Sequence, residues 1–373
     1  MGRMIKPTQP VMPDKEKYIQ EISSIWDTGA MTNNGEKVRR FKEMLVSYMQ
    51  WDNLDLFVNG HSALMIAIQA LNLTGEVITS PFTFASTTNA IVQNGLVPVF
   101  GDIDDSYNLS PVSIEEFITE RTTAIITPHI FGIPCDVEKI EKLAEKYHLK
   151  VIYDGAQAFG TKISGKSIGC FGDITMFSFH AIKVFNSIEG GMLAYRDKDL
   201  QKSFELYRNF GISYGELSSD VEVFGMNAKM NEFQAAMGIV NLPGLDEEIQ
   251  KRKKLAQEYC ELLKDIPGII TYPYQSQIDY NYAYFPVQIT ENYGMSRDEL
   301  WLKLKSKGIG TRKLYDKLIY DYHCYQDKKY LRNSVQAEKI KQRVLDLPLY
   351  GKLTEDEVLY LCETIRKLGA FNG

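Results

Sequence analysis

Between Phe57 and Tyr195 the chain alternates short β-rich runs with stretches of helical periodicity, and that alternation leaves few folds open. Candidate strands are Leu54–Val58, Glu76–Thr79, Val97–Asp102, Ala124–Pro128, Val151–Asp154, Ile174–Ser178 and Gly191–Tyr195. Between them, the segment Ser62–Leu71 places Ala63, Leu64, Ala67, Ile68 and Leu71 at helical spacing, and Val137–Tyr147 repeats the pattern. Strand, crossover helix, strand is the unit of a parallel sheet covered by helices, so an α/β fold is predicted. In open sheets of this kind ligands bind beyond the carboxyl ends of the strands, and chemistry is to be sought in the turns that follow them.

At 373 residues the chain exceeds the size at which one core usually stops growing, so a second, smaller domain is expected. After Asn241 the segment LPGLDEEIQKRKKLAQEYCELLKDIPG reads as a long charged helix leading out of the sheet. Beyond it lie a strand candidate at Tyr284–Ile289, a helix from Ser296 opened by a Ser-x-x-Glu capping box (Ser296, Glu299), and a last helix over Thr354–Lys367. The expected division is a large domain over residues 1–245, with the N-terminal segment, and a small α+β domain over 246–373.

Composition narrows the function. A formal charge of −6 supplies no basic field for nucleic acid or an anionic membrane, so an anionic ligand must be held locally. The five cysteines are an odd number, and Cys135 and Cys170 are too far apart for a metal or redox motif; reduced thiols and no metal are expected. The first residues carry no apolar core of a signal peptide, and no run approaches a membrane span, which points to the cytoplasm.

Three turns carry candidate chemistry. VIYDGAQAFG puts Asp154 at the end of an apolar strand; alone, it reads better as a helix N-cap. TMFSFHAIKVFNSIEGGML puts Ser178, His180 and Lys183 just past a second strand. There Lys183 lies among Ala181, Ile182, Val184 and Phe185, where a lysine is awkward unless it snorkels to the surface. Together the two turns read as a cofactor site, because an aldehyde cofactor needs an amine to bind and a carboxylate to keep its ring nitrogen protonated. The third turn, VNGHSALMIAI, places Asn59 and Gly60 before a helix whose first amides are free to hold an anion.

These residues carry a resemblance. FGDITMFSFHAIK (Phe171–Lys183), the pair Asp154 and Gln157, and GMNAKMNEFQAAMG resemble the DegT/DnrJ/EryC1/StrS family of nucleotide-sugar aminotransferases. TGAMTNNGEKV, TSPFTFASTTNAI, PVFGDID, PHIFGIPCD, EGGM and LDLPLYGKLTEDEV follow as family blocks, in order, over nearly the whole chain. The resemblance implies a fold-type I transferase, similar to aspartate aminotransferase, that works as a homodimer with pyridoxal 5′-phosphate, through its pyridoxamine form. It implies that Lys183 carries the cofactor as a Schiff base and moves protons, that Asp154 pairs with the ring nitrogen, and that Gln157 faces the ring hydroxyl. Phe84 would stack on the ring, while Ser178 and the Gly60, His61, Ser62 turn would hold the phosphate, joined by Asn227 from the partner subunit. Without the resemblance, Phe84 reads as core and Asn227 as a helix cap. Thr32, His180, Lys229, Arg312 and Tyr315 are the expected substrate contacts.

Two departures from the family pattern stand out. His61 replaces the Thr or Ser that usually follows the glycine of the phosphate turn, and Lys229 stands where many members have arginine. The blocks IWDTGAMTNNG and FHAIKVFNSIEGG look most like members that act on thymidine-diphosphate 4-keto-6-deoxyhexoses, which implies transfer from L-glutamate to C4 for a surface glycan or O-antigen. Amination at C3 of the 3-keto isomer is the alternative, and a non-catalytic pyridoxal-binding regulator is the reading from another class.

Overall fold

A computed structural model gives the fold and describes residues 4–215, 218–327, 330 and 334–370. Two helices, α1 (Lys15–Thr28) and α2 (Glu36–Met49), precede the sheet. Then follow β1 (Leu54–Phe57), α3 (Gly60–Ala70), β2 (Glu76–Thr79), α4 (Ala85–Gln93), β3 (Val97–Phe100), α5 (Pro111–Glu116), β4 (Thr122–Pro128), α6 (Val137–Tyr147) and β5 (Lys150–Asp154). A short hairpin, β6 (Lys162–Ile163) and β7 (Lys166–Ser167), leads to β8 (Ile174–Ser178) and β9 (Gly191–Tyr195). All seven strands expected from the sequence form one sheet in the order β1-β9-β8-β5-β4-β2-β3. The pairs β2/β3, β2/β4, β4/β5 and β5/β8 are parallel, and β9 runs antiparallel to both of its neighbours. This is the large, mostly parallel mixed sheet of a fold-type I transferase.

The strands are mainly apolar because helices cover both faces; β1 and β2 are buried throughout, and the charged Asp55 and Glu76 within them are bonded to Tyr195 and Arg208 and to Arg121. Ile126, Ile152 and Leu193 are fully buried, and each such side chain contributes about 1.5–3 kcal/mol through its removal from water. Local signals set the helix ends. Asn59 accepts the Ser62 amide at 2.8 Å to start α3, and Asp136 accepts the Lys139 amide at 3.1 Å to start α6, which buries Val137, Ile140 and Ala144.

The chain continues through α7 (Leu200–Tyr207), the hairpin β10 (Ile212–Tyr214) and β11 (Ser219–Val221), α8 (Glu232–Asn241) and α9 (Leu245–Leu263). The remainder holds β12 (Ile269–Thr271), β13 (Ile278–Asp279), β14 (Phe285–Ile289), α10 (Arg297–Ser306), α11 (Val335–Lys341), β15 (Val344–Leu347) and α12 (Glu355–Ala370). The box of Ser296 and Glu299 does start α10, and an antiparallel sheet β12-β14-β15 forms the centre of this part. We propose residues 1–245 and 246–373 as the domain division. Several contacts cross it, among them the pairing of β13 with β6 and the bridge from Ile5 to Ile309, the Ile5 amide donating to the Gly308 carbonyl at 2.9 Å. The N-terminal segment thus starts against the C-terminal part and runs on to Val11, whose carbonyl accepts from Asn186, three residues past Lys183.

Candidate active site

Asp154 ends β5 with its side chain buried at the sheet's carboxyl edge. No helix follows, so it is not an N-cap. Its Oδ1 accepts the Ala156 amide at 3.0 Å, closing a local turn, and its Oδ2 accepts the Thr87 hydroxyl of α4 at 2.6 Å. Gln157 is equally fixed, because its Oε1 accepts the Phe131 amide at 2.7 Å and its Nε2 donates to the Tyr315 hydroxyl. Burial, then the adjacent Tyr284 phenol, push the Tyr315 proton affinity well up, so the phenol stays protonated. Its ring rests edge-on against Phe82 at 4.9 Å.

The next strand supplies the anion seat. Ser178 ends β8 opposite Gly191, the first residue of β9, and Gly191 is also opposite Phe57 of β1. A side chain at Gly191 would run into the Asn59 carbonyl at 2.4 Å, so glycine there is what lets the 59–60 turn lie across the sheet edge. A Cβ at Gly60 would meet Met176 Sδ and Ser178 Cβ at 3.0 Å, so the first turn of α3 sits directly on Ser178. Asn59 takes the Ser62 amide. Among the described residues the Gly60 and His61 amides have no acceptor and remain at the positive end of the helix. His61 Nδ1 is bonded to Ser86 Oγ at 2.9 Å, so a hydroxyl stands near this turn even though position 61 has none.

Lys183 sits in the loop between β8 and β9, its amide bonded to the His180 carbonyl at 2.9 Å. The loop is anchored by the buried Val184 and Phe185, the latter ring lying 4.9 Å from Phe179 and 5.2 Å from Phe159. Asn241 of α8 donates to the Asn186 carbonyl at 2.9 Å. Lys183 is half-buried rather than a surface lysine, and it lines one pocket with Ser178, Ala156, Gln157, Asn281 and Tyr284.

Phe84 is the N-cap of α4 and 69% exposed, so it is not core; one turn further on, Thr87 holds Asp154. The remaining expected residues stand apart from the pocket's lining. Arg312 grips the buried Asp346 with Nε at 2.9 Å and Nη2 at 2.6 Å while covering the Tyr284 ring, so it reaches the pocket only through Tyr284. His180 faces Glu189 at 3.5 Å. Thr32 is exposed in the loop before α2. Lys229 donates to Asn209 Oδ1 at 2.7 Å; burial, then Arg208, lower its proton affinity. Asn227 is exposed and bridges to Asn209, while Asn231 caps α8 instead.

The sequence reading missed Thr87, Ser86, Asn281 and Tyr284. Thr87 lies one helical turn after Phe84, and that spacing was the available signal. Asn281 donates to the Gln157 and Phe159 carbonyls at 2.8 and 3.0 Å, a tie across the domain division that no local pattern discloses. His129 is a buried core residue that accepts the Cys135 amide at 3.0 Å, and His323 is exposed. Among the described residues no three His, Cys, Asp or Glu side chains gather as a metal site, and no helix is long and apolar enough to cross a membrane.

A mainly parallel sheet whose strand ends present a lysine, a clamped carboxylate and a helix-terminus anion seat is the arrangement of a fold-type I pyridoxal-phosphate enzyme. The chain belongs to the DegT/DnrJ/EryC1/StrS aminotransferase family, whose model matches residues 13–366. It is 38% identical over 370 residues to dTDP-4-amino-4,6-dideoxy-D-glucose transaminase of Shigella dysenteriae, covering 99% of this chain and 100% of that one. To the Escherichia coli enzyme of the same name it is 36% identical, covering 97% and 98%. Its structure matches that of DesI in the presence of its TDP-sugar product with a TM-score of 0.92 at 30% identity, over 99% of this chain and 94% of that one. The chain is accordingly a pyridoxal-phosphate aminotransferase. Its residues fit that cofactor: free helix amides and Ser178 for the phosphate, the exposed Phe84 face for the ring, and Asp154 at the strand end for the ring nitrogen.

Proposed function

We propose that the enzyme transfers the amino group of L-glutamate to a thymidine-diphosphate-linked 4-keto-6-deoxyhexose, giving a 4-amino-4,6-dideoxy sugar for a surface glycan or O-antigen. The carrying observation is the end-to-end match with the Shigella transaminase, 99% of this chain against 100% of that one, whose printed name specifies a 4-amino-4,6-dideoxy product.

Bound pyridoxal phosphate supplies an electron sink that stabilises negative charge at the carbon losing its proton. Lys183 would hold the cofactor through its amine, and the same amine would move the proton at the substrate carbon. Asp154, fixed by Thr87 and Ala156, would keep the ring nitrogen protonated, with Gln157 placed for the ring hydroxyl and Phe84 for the ring face. Gly60, His61, Ser62 and Ser178 would hold the phosphate, joined by Asn227 from the second copy of a homodimer. Thr32, His180, Lys229, Arg312 and Tyr315 form the substrate rim, and the ties of Arg312 and Lys229 within the protein set those side chains in place beforehand.

The working unit in this reading is a homodimer in the cytoplasm. An apolar surface supports the dimer: Phe224 is 99% exposed, and Tyr214 and Val221 stand 76% and 61% exposed on the β10–β11 hairpin beside it. The test is a panel of nucleotide-linked ketosugars incubated with glutamate, with product regiochemistry read by NMR. An amine on C4 of the thymidine-diphosphate sugar is the expected result. An amine on C3, a different nucleotide preference, or cofactor binding with no transfer rejects the proposal.

A further inference from the structure

The geometry points to Thr87 as the positioning residue of the cofactor acid: its hydroxyl fixes the plane in which Asp154 meets the ring nitrogen. This rests on the reading of Asp154 above and names a residue to which no role has been given.

Thr87 is fully buried on α4, and Asp154 is 6% exposed. The hydroxyl has one proton to give, and at 2.6 Å from Asp154 Oδ2 it gives it to the carboxylate, within the range of a charge-assisted O–H···O⁻ bond. A threonine inside a helix ordinarily bonds back to a carbonyl of the preceding turn. Here the hydroxyl goes to Asp154 at the end of a separate strand, and the Thr83 hydroxyl, one turn earlier, lies 3.5 Å away. The Ala156 amide at 3.0 Å holds the second carboxylate oxygen. Two donors, one from the loop of Asp154 itself and one from a separate helix, fix both oxygens and leave the outward lone pairs for the ring. Among the described residues, the Tyr315 phenol feels the Asp154 charge, and burial keeps that phenol protonated.

The same helix end sets the ring. Phe84 caps α4 three residues before Thr87, so the support of the acid and the cover of the ring face belong to one rigid turn. A shift of α4 would move both, which gives the helix a positioning role beyond its share of the core.

The test compares Thr87→Val, which swaps the hydroxyl for a methyl of similar size, with Thr87→Ser, which keeps it. Each holoenzyme is loaded with pyridoxal 5′-phosphate isotopically labelled on its ring nitrogen, and that nitrogen is titrated by NMR beside steady-state kinetics. In Thr87→Val the ring nitrogen is expected to lose its proton at a pH lower by about one unit, with kcat reduced about tenfold and KM little changed. Thr87→Ser is expected to restore both. A Thr87→Val enzyme whose ring nitrogen titrates as in the unaltered protein overturns the inference, whatever its activity, and so does a Thr87→Ser enzyme that fails to restore the titration. Should Thr87→Val not fold, Thr87→Ala takes its place under the same criteria. Failure of the unaltered protein to bind pyridoxal phosphate would instead sink the reading of the site, and the loading step detects that separately.

Discussion

Lys183 and Asp154 make opposite demands on their surroundings, and their substitutions separate function from stability. Among the described residues no hydrogen bond or ion pair engages the Lys183 amine, while its neighbours Val184 and Phe185 anchor the loop. Lys183→Ala is therefore expected to leave the thermal midpoint nearly unchanged, within about 1 kcal/mol, while transfer falls by at least about three orders of magnitude. Transfer near the native rate in that variant would remove the lysine from the mechanism. Asp154 is held by two donors, and Asp154→Asn keeps its shape and loses the charge on which its proposed contact with the ring nitrogen rests. A loss of about 10²–10³-fold in kcat is expected, the scale of one preorganised electrostatic contact. Circular dichroism of both variants checks that the loss is chemical.

At the scale of elements, two loops that the sequence treats separately are joined by one buried acid. Gly35 starts α2 and has no side chain to cap it; Glu232, at the start of α8 and 2% exposed, takes the Lys37 amide at 2.8 Å and the Val38 amide at 3.2 Å. Its own amide donates to the Met31 carbonyl at 3.0 Å, so Glu232 also fixes the loop that bears Thr32. Gly35 is needed because a Cβ there would come within 2.6 Å of the Glu232 carboxyl. Glu232→Ala strands two helix amides and is expected to cost about 1–3 kcal/mol in denaturant unfolding. The Met31 tie is a backbone one and survives, but the Thr32 loop runs directly into the α2 start that the carboxylate pins, so KM for the sugar nucleotide should rise more than kcat falls; an unaltered KM would detach that loop from the substrate.

At the scale of the molecule, stability and assembly follow from what is buried and what is not. Burial pushes the His129 imidazole down from 6.5 to about 3, so between those pH values the unfolded chain takes up a proton that the folded one refuses. The stability this gives is whole above pH 6.5 and is lost as the pH falls toward 3, with a slope of at most about 1.4 kcal/mol per unit. His129→Asn, whose amide oxygen can still accept the Cys135 N–H, should flatten the acid limb of the stability profile; an unaltered limb refutes the assignment. In the proposed homodimer, assembly would depend instead on the exposed apolar surface at Phe224 and the neighbouring hairpin. Phe224→Asp is expected to shift sedimentation toward monomer and to weaken pyridoxal-phosphate binding, because Asn227 follows three residues later. A dimer with native affinity would place the interface elsewhere.

Each of the seven sheet strands was legible in the sequence, because a strand buried on both faces is mainly apolar and polar turns end it. The Ser296 capping box was legible for a similar reason, since it satisfies amides only a few residues away. Lys183, Asp154, Ser178 and Gln157 came from the turns after β5 and β8, where the strand pattern and the family blocks coincide. The tertiary structure alone decided how those turns meet. That the Thr87 hydroxyl reaches Asp154, that Tyr315 takes the Gln157 amide, and that Arg312 holds Asp346 are pairings between residues 67, 158 and 34 positions apart. Local sequence records a residue's preference for helix, strand or cap. Which distant partner satisfies a buried polar group is settled only when packing has removed water from both.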